Sequence, residues 1–360
     1  MDHVAIDLGG RESQICVRSS DGKIVEELRL STASIGRYLG KRPMSRVVVE
    51  TCTEAFSVAD QAVALKHEVR VVPATLVKSL GVGARGIKTD QRDARILSEV
   101  SCRIDLPSVH VPSMRSRERK TLCGMREALV GSRTQLINTV RGWMRASQIR
   151  VRSGAAESFV DRVRSHLEAT KLEVPSYVQR QLTMIALLNE HLDEADKELA
   201  LVAKTDELCR RLMTVPGVGP VTAVRFSAAL DEVARFNNAH AVESYVGLTP
   251  GEHSSSDRKR RTSITKAGAP RLRYALIQAA WCVMRSKTKH PMAAWAVEIE
   301  RRRGKRIAVT ALARKLAGIL YAIWRDATRY QPERGARPSP PTDPDMMTEA
   351  LALVASKRTQ

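Results

Sequence analysis

At 360 residues the chain is long enough for two or three domains with a sizeable core. Only 4% of it is aromatic, so that core must be built from Val, Leu, Ile and Ala. Lys and Arg number 59 against 39 Asp and Glu; a net charge of +20 exceeds what solubility asks for and predicts a polyanionic partner, most simply nucleic acid.

His3 to Leu8 reads as a short apolar strand closing on Asp7, with Gly9-Gly10 after it. It starts at once, leaving no room for a signal peptide. Ser13 to Arg18 and Lys23 to Leu30 predict two further strands around the turn Ser20-Asp21-Gly22. Ser31 to Leu39 predicts a helix, Arg46 to Cys52 a buried strand with Glu50 near its end, Ser57 to Leu65 a helix and Glu68 to Pro73 a strand. This alternation predicts an α/β layer with an antiparallel opening hairpin beside parallel strands. Functional side chains in such sheets sit at strand C-terminal ends, where Asp7 and Glu50 both lie.

Next comes Lys88-Thr89-Asp90-Gln91-Arg92-Asp93-Ala94, entering a helix over Asp90 to Val100. A spacing of three puts Asp90 and Asp93 on one helical face. Two carboxylates that close resist joint ionisation unless a cation neutralises them, and a hard divalent ion, Mg²⁺ or Mn²⁺, prefers such oxygens. A solvated helix start is the plain alternative, with Asp90 favoured by the helix dipole. If the strands of Asp7 and Glu50 are neighbours, Asp7, Glu50, Asp90 and Asp93 converge, a cluster costly to bury without metal. Two metals about 4 Å apart could then clamp an in-line phosphoryl displacement. The pattern resembles the RNase H-like nucleases of the RuvC branch. The rival is the actin-like ATPase fold, which Ile6 to Gly10 also fits, but its second phosphate loop would fall on Gly81 to Gly86, after no acidic strand end.

Arg115 to Ser147 predicts one long helix with an apolar stripe of Leu122, Met125, Leu129, Leu136, Val140 and Trp143. Its other faces carry Arg115, Arg117, Arg119, Lys120, Arg126, Arg133, Arg141 and Arg145, either a solvated face or a phosphate-contacting rail; the overall charge favours the rail. Pro175 to about Lys204 predicts a second long helix, striped by Leu182, Ile185, Leu188, Leu192, Ala195, Leu199 and Val202, so that the pair forms a helical hairpin or coiled-coil arm. Gly154 to Lys171, between them, is polar and carries no assigned element.

Leu212 to Ala223 reads as helix, Pro-Gly-Val-Gly turn, helix, which resembles a helix-hairpin-helix. In that motif Gly217 and Gly219 let backbone N–H groups approach a phosphate; a bare helix connector is the alternative. Gly247 to Ser256 is a polar, serine-rich loop meeting the strongest basic cluster of the chain: Arg258, Lys259, Arg260, Arg261, Lys266, Arg271 and Arg273 against Asp257. A serine hydroxyl among cations can attack phosphorus, because the cations stabilise the developing charge; His253 could assist as a base. Helices follow over Arg271 to Met284, Pro291 to Arg303 and Val309 to Ala327, with basic outer faces, above all Arg301 to Arg306. No run of about eighteen apolar residues and no lipidation motif appears, which predicts no membrane span or anchor. The tail from Gln331, with Pro338, Pro340, Pro341 and Pro344, predicts disorder. Cys16, Cys52, Cys102, Cys123, Cys209 and Cys282 form no CxxC and read as reduced thiols.

Taken together, Ile6-Asp7, Val49-Glu50, Lys88 to Ala94, Val215 to Gly219, Gly247 to Pro250, Ser254-Ser255, Ser263 to Gly268 and Leu272-Arg273 resemble, in order, the transposases of the IS110 group of bacterial insertion sequences, in its IS1111 branch. The Piv/MooV DNA invertases are relatives. The resemblance covers most of residues 1–325. It implies a RuvC-like domain over 1–110 with a DEDD metal site at Asp7, Glu50, Asp90 and Asp93. The two apolar stripes give a helical arm over 111–205, and the resemblance implies a mostly α transposase domain over 206–330 whose serine becomes joined to DNA. The matching position is Ser255, with Ser254 the adjacent alternative; Ser256 departs from relatives that often carry Gly there. The resemblance further implies a bridge RNA pairing with donor and target DNA, a homotetramer, and a cytoplasmic, nucleoid-associated place of action. The competing expectations are a RuvC-type junction endonuclease that uses water, and a non-catalytic nucleic-acid binder.

Overall fold

The computed structural model describes residues 1–79, 89–255, 258–286 and 290–332, with the side chains of 78, 79 and 253–261 outside that set. Gly81 to Gly86, Lys88, Ser256, Asp257 and the tail from 333 onward, on which several sequence expectations fall, lie outside the described residues. The chain divides into two compact units, Met1–Ser113 and Met114–Gln360.

The first unit is built on β1 (His3–Asp7), β2 (Glu12–Arg18), β3 (Ile24–Ser31), β4 (Arg46–Glu50) and β5 (Glu68–Val72), in sheet order β3-β2-β1-β4-β5. β1 pairs antiparallel with β2 and parallel with β4, and β4 parallel with β5, so the expected opening hairpin beside parallel strands is present. Helices α1 (Ile35–Leu39), α2 (Ala55–Ala64), α3 (Ala74–Ser79) and α4 (Asp90–Arg103) complete the unit. Successive strand residues point to opposite faces. Val4, Ile6, Val47 and Val49 pack on one face with Ile35, Leu39, Val58 and Ala62 of α1 and α2. Ala5, Val48 and Val72 pack on the other with Val77 of α3 and Leu97 of α4. β1 and β4 are apolar on both faces because helices cover both.

The second unit begins with α5 (Met114–Ala146), α6 (Phe159–Ala169) and α7 (Ser176–Thr205). α5 and α7 are an antiparallel pair: Arg126 meets Asp196, and Arg133, one turn and more further on, meets Asn189. α6 is a helix where the sequence reading assigned none. Phe159, Val160, Val163 and Leu167 form its buried stripe and close the tip of the pair with Ile137, Val140, Leu182 and Ile185. The buried line of α5 also departs from the expected stripe. It passes through Cys123, Arg133, Ile137, Val140 and Met144, while Met125 is 65% exposed. An arginine with partners on the facing helix sits where apolar periodicity alone would place a leucine.

Beyond α7 come α8 (Glu207–Leu212), α9 (Pro220–Leu230), α10 (Ala239–Tyr245), β6 (Pro250–Ser255), β7 (Arg258–Ile264), α11 (Pro270–Arg285), α12 (Pro291–Arg303) and α13 (Lys305–Arg325). Their core joins Leu199 and Ala203 of α7 to Leu212, Phe226, Leu276, Leu312, Leu316, Leu320 and Tyr321, so the arm is continuous with the C-terminal helices. The serine-rich stretch read as a loop is an antiparallel β-hairpin. Both strands are polar, so no alternation announced them. α13 starts at Lys305 rather than Val309. Among the described residues it is the one helix long and apolar enough to cross a membrane, but half of that stretch is buried inside the unit, as suits a core helix.

Candidate functional site

The acids are placed by strand pairing. Ile6 of β1 lies opposite Val49 of β4, so Asp7 and Glu50 leave adjacent parallel strands at the same end. Alternation puts them on the face of Ala5 and Val48, which carries α4. α4 runs back along that face. Ser101 Oγ bonds His3 Nδ1 at 2.8 Å, and Ser98 Oγ donates to Cys16 Sγ at 3.2 Å, with Cys16 paired to Ala5. From Ser101 back to Asp93 a helix climbs ~12 Å, and from His3 to Asp7 a strand advances ~13 Å. Asp93 therefore arrives level with Asp7.

Asp93 is buried, at 5% exposure, on the packed face of α4, whereas Asp90 stands exposed at its rim. Thr89 caps the helix, its Oγ1 accepting the Arg92 N–H at 3.3 Å, and Asp90 and Asp93 both fall in the first turn. That end of a helix dipole favours negative charge. At the end of β4 the Ala74 N–H donates to Thr51 Oγ1 at 3.1 Å and fixes the exit of the strand after Glu50. The topology thus brings Asp7, Glu50 and Asp93 to one end of one face. Among the described residues, however, no three His, Cys, Asp or Glu side chains gather closely enough to hold a metal ion. His3, at the other end of β1, lines a cavity of about 320 Å³ with Arg46, Ser101 and Asp105; burial, then the charge of Arg46, pulls its pKa down. That cavity is remote from the acids.

The second candidate is the hairpin of the second unit. Its register sets Ser254 opposite Lys259 and Ser255 opposite Arg258; these side chains fall outside the described set. The stem is described in full. Gly247 (φ +74°) and Gly268 (φ +72°) occupy the left-handed region, and a Cβ on them would lie 2.1 Å from Ala267 O and 1.8 Å from Tyr245 O. Only glycine permits that closeness. The Thr265 N–H donates to Thr249 O at 2.9 Å, and the Lys266 N–H to Gly247 O at 3.1 Å. Arg273 Nη1 donates to Val246 O at 2.9 Å and Ala267 O at 3.0 Å, so this residue, expected on nucleic acid, ties down the stem. Arg271 Nε lies 3.2 Å from Glu127 of α5. Lys266 is exposed and holds φ +56°, a strained position for a side-chain-bearing residue.

The turn between α8 and α9 differs from its expected role in part. Gly217 (φ +79°) turns its Cα against α11, where a Cβ would meet Ala279 O at 2.5 Å and Val283 Cγ2 at 2.8 Å. Its freedom serves helix packing. Gly219, the N-cap of α9, has open space on that side.

The predicted arginine rail is largely taken up within the arm. Arg115 and Arg119 both pair with Asp206, Arg126 with Asp196, and Arg133 with Glu157 at 3.0 Å. Arg141 lies over the Phe159 ring. Burial pushes the Asp206 carboxyl up, but the hydrogen bonds from Arg119 and the Cys209 N–H, with the Arg119 and Arg115 charges, hold it below its ordinary range. Of the acids that answer these arginines, Asp196 lies on α7, at a position an antiparallel pairing matches, whereas Asp206 follows that helix and Glu157 precedes α6.

Known sequences resolve what this geometry belongs to. Residues 4–147, which hold all four acids, match a DEDD transposase domain of IS110 type, and residues 209–296, which hold the hairpin, match the family described as Transposase IS116/IS110/IS902. The transposase for insertion sequence element IS1111A of Coxiella burnetii is 27% identical over 335 residues, 91% of each chain. The transposase for IS1328 of Yersinia enterocolitica is 26% identical, over 91% of this chain and 98% of its own length. The pilin gene-inverting protein of Moraxella bovis is 26% identical over 78% of this chain and 79% of its own length. With the two matches taking in well over half of its length, in order, the chain belongs to the IS110/IS116/IS902 family of transposases.

Proposed function

We propose that the chain cuts and rejoins DNA through a serine–DNA link assisted by a divalent cation, Mg²⁺ or Mn²⁺, held by Asp7, Glu50, Asp90 and Asp93. The observation that carries this is the exit of Asp7 and Glu50 from adjacent parallel strands on the face where Asp93 arrives. The sheet order β3-β2-β1-β4-β5 with acids at those ends supports an RNase H-like reading of the first unit. The donor set is all hard oxygen, which fits such an ion. When bound, the ion neutralises the carboxylates and polarises a phosphate oxygen.

In the reaction the Ser255 hydroxyl attacks phosphorus. The Oγ–P bond forms as the hydroxyl gives up its proton, the P–O3′ bond breaks, and the 3′ oxygen takes up a proton to leave as a free hydroxyl. The reverse attack by a 3′-hydroxyl restores the serine and seals a new junction, so bond energy is conserved without ATP. Cations on the hairpin, Arg258, Lys259, Arg260 and Arg261 with Lys266, stabilise the charge that develops. The clamped stem at Gly247 and Gly268 keeps the serine strand in place.

A bridge RNA pairing with donor and target DNA, a homotetramer and action at the nucleoid in the cytoplasm complete the reading; the family resemblance and the charge of +20 support them. The test is covalent trapping. Incubated with element-end DNA and Mg²⁺, the protein should form a denaturant-resistant adduct that disappears in Ser255→Ala and persists in Ser254→Ala. Asp93→Asn should abolish the adduct and spare binding. Cleavage without any adduct in either serine background would replace this reading with hydrolysis by water.

A further inference from the structure

The expected nucleic-acid contacts lie on the hairpin, at Gly217 and Gly219, and on α11 only at Arg271 and Arg273 of its first turn; the rest of the outer face of α11 carries none of them. That face runs through Tyr274, Gln278, Trp281 and Arg285, at steps of four, three and four, which is one line along a helix. Tyr274 is 61% exposed, and Gln278 and Arg285 are exposed. Trp281 is half-buried and bears two cations over its ring: Arg285 Cζ at 4.9 Å and Lys305 Nζ at 5.5 Å from the centroid. Beyond Lys305, Arg303 and Arg306 are exposed at the α12–α13 joint. Neither α11 nor α13 contains an acid.

From this line we infer a platform for an unpaired nucleic-acid strand, bases on Tyr274 and on the guanidinium layer above Trp281, phosphates on Arg285, Lys305 and Arg306. An exposed aromatic and a guanidinium plane offer a base its flat face, which a duplex keeps inside its stack. The cations supply the backbone term. Gln278, between the two rings, adds an amide donor and acceptor for a base edge. The cations gathered at its C-terminal end, Arg285, Arg303, Lys305 and Arg306, with no acid on α11 or α13 to answer them, fit a polyanion. The platform rests on the reading of the chain as a nucleic-acid enzyme, but its test needs no strand cleavage.

The full-length protein is titrated against fluorescein-labelled oligo-dT, oligo-rU and a mixed-sequence duplex of equal length, by anisotropy, at fixed salt. Tyr274→Leu should weaken one or both unpaired probes by about 5- to 100-fold, as loss of a stacked base does. Tyr274→Phe should bind like the parent, and the duplex should change less than about twofold. Arg285→Gln with Lys305→Gln should flatten the salt dependence for unpaired probes by about one to two counterions. Loss confined to oligo-rU identifies the strand as RNA, loss confined to oligo-dT as DNA. Unchanged binding of both unpaired probes in Tyr274→Leu, or equal loss on the duplex, overturns the platform. Tyr274 is exposed, so an unchanged thermal midpoint is expected and excludes unfolding as the cause. A missing adduct in the serine test would leave this result standing, and the converse.

Discussion

The arginines of α5 and those around the α12–α13 joint look alike in sequence, yet they are partnered differently. On α5, Arg115, Arg119, Arg126 and Arg133 each meet an acid of the same unit. At the joint, Arg301 meets Glu298 at 3.1 Å, and Arg303, Lys305 and Arg306 face outward beside a tryptophan. The difference lies in what faces them. Asp196 of α7, Asp206 just after it and Glu157 before α6 lie against α5, while α13 has no acid to offer. A count of basic residues therefore overstates a nucleic-acid surface wherever acids lie opposite.

The sharpest way to break this comparison is at Asp206. Its side chain is 4% exposed, it accepts from the Cys209 N–H at 2.8 Å as the N-cap of α8, and two arginines converge on it. Asp206→Ala removes the cap and strands buried Arg119, with an expected cost of about 3–5 kcal/mol, read by urea unfolding. DNA affinity per folded molecule should hold. If stability were unchanged, these arginines would not be spent on Asp206, and the α5 face would be a rail after all. The pH dependence carries a matching sign. The folded carboxyl titrates below its ordinary value, near 3.8, so its contribution is full above that pH and fades as pH drops through the lowered folded value. In Asp206→Ala that part of the acid sensitivity should vanish.

Next in size is the hairpin stem. Gly268→Ala forces a Cβ toward Tyr245 O at a left-handed φ, and about 2–4 kcal/mol of destabilisation is expected. Adduct formation should fall further than folding does, since the serine strand hangs on this stem. Full cleavage activity in a folded Gly268→Ala protein would show that the stem has no part in presenting the hairpin. Smaller still is the joint: Arg303→Gln with Arg306→Gln should leave the unfolding midpoint within error and lower the salt slope of DNA or RNA binding by about two. An unaltered slope would put these cations in the same class as those of α5.

Sequence carried the first unit well because its signals are physical and local. Buried strands alternate faces or run apolar throughout, and Asp7 and Glu50 interrupt them where the strands end. The second unit was less legible where polar residues are buried or paired. Arg133 lies in the packed line of α5, so apolar periodicity slid the expected stripe onto exposed Met125. α6 is polar on most of its surface, and four apolar positions were too few to stand out. Both hairpin strands are polar or charged along nearly their whole length, leaving no apolar alternation to find. Which cations are paired depends on α5 meeting α7 antiparallel, a fact of tertiary structure.

Lys266 gives the smallest change in salt slope and the finest test of the stem. A residue with a Cβ at φ +56° costs about 1–2 kcal/mol over glycine, and the Lys266 N–H is already held by Gly247 O. Lys266→Gly should therefore stabilise the second unit by about 1 kcal/mol, less than the full strain because the unfolded chain gains freedom. Its charge is lost in the same step, so phosphate binding should weaken and the salt slope fall by about one. Lys266→Gln separates the two, keeping the strain while removing the charge. If Lys266→Gly proved less stable than Lys266→Gln, the left-handed residue would be held by side-chain contacts rather than by the stem backbone. Strained residues persist where the surroundings over-determine them, often at functional sites. A gain in stability with a loss of cleavage would mark Lys266 as one of them, held there to keep a cation beside the serine strand.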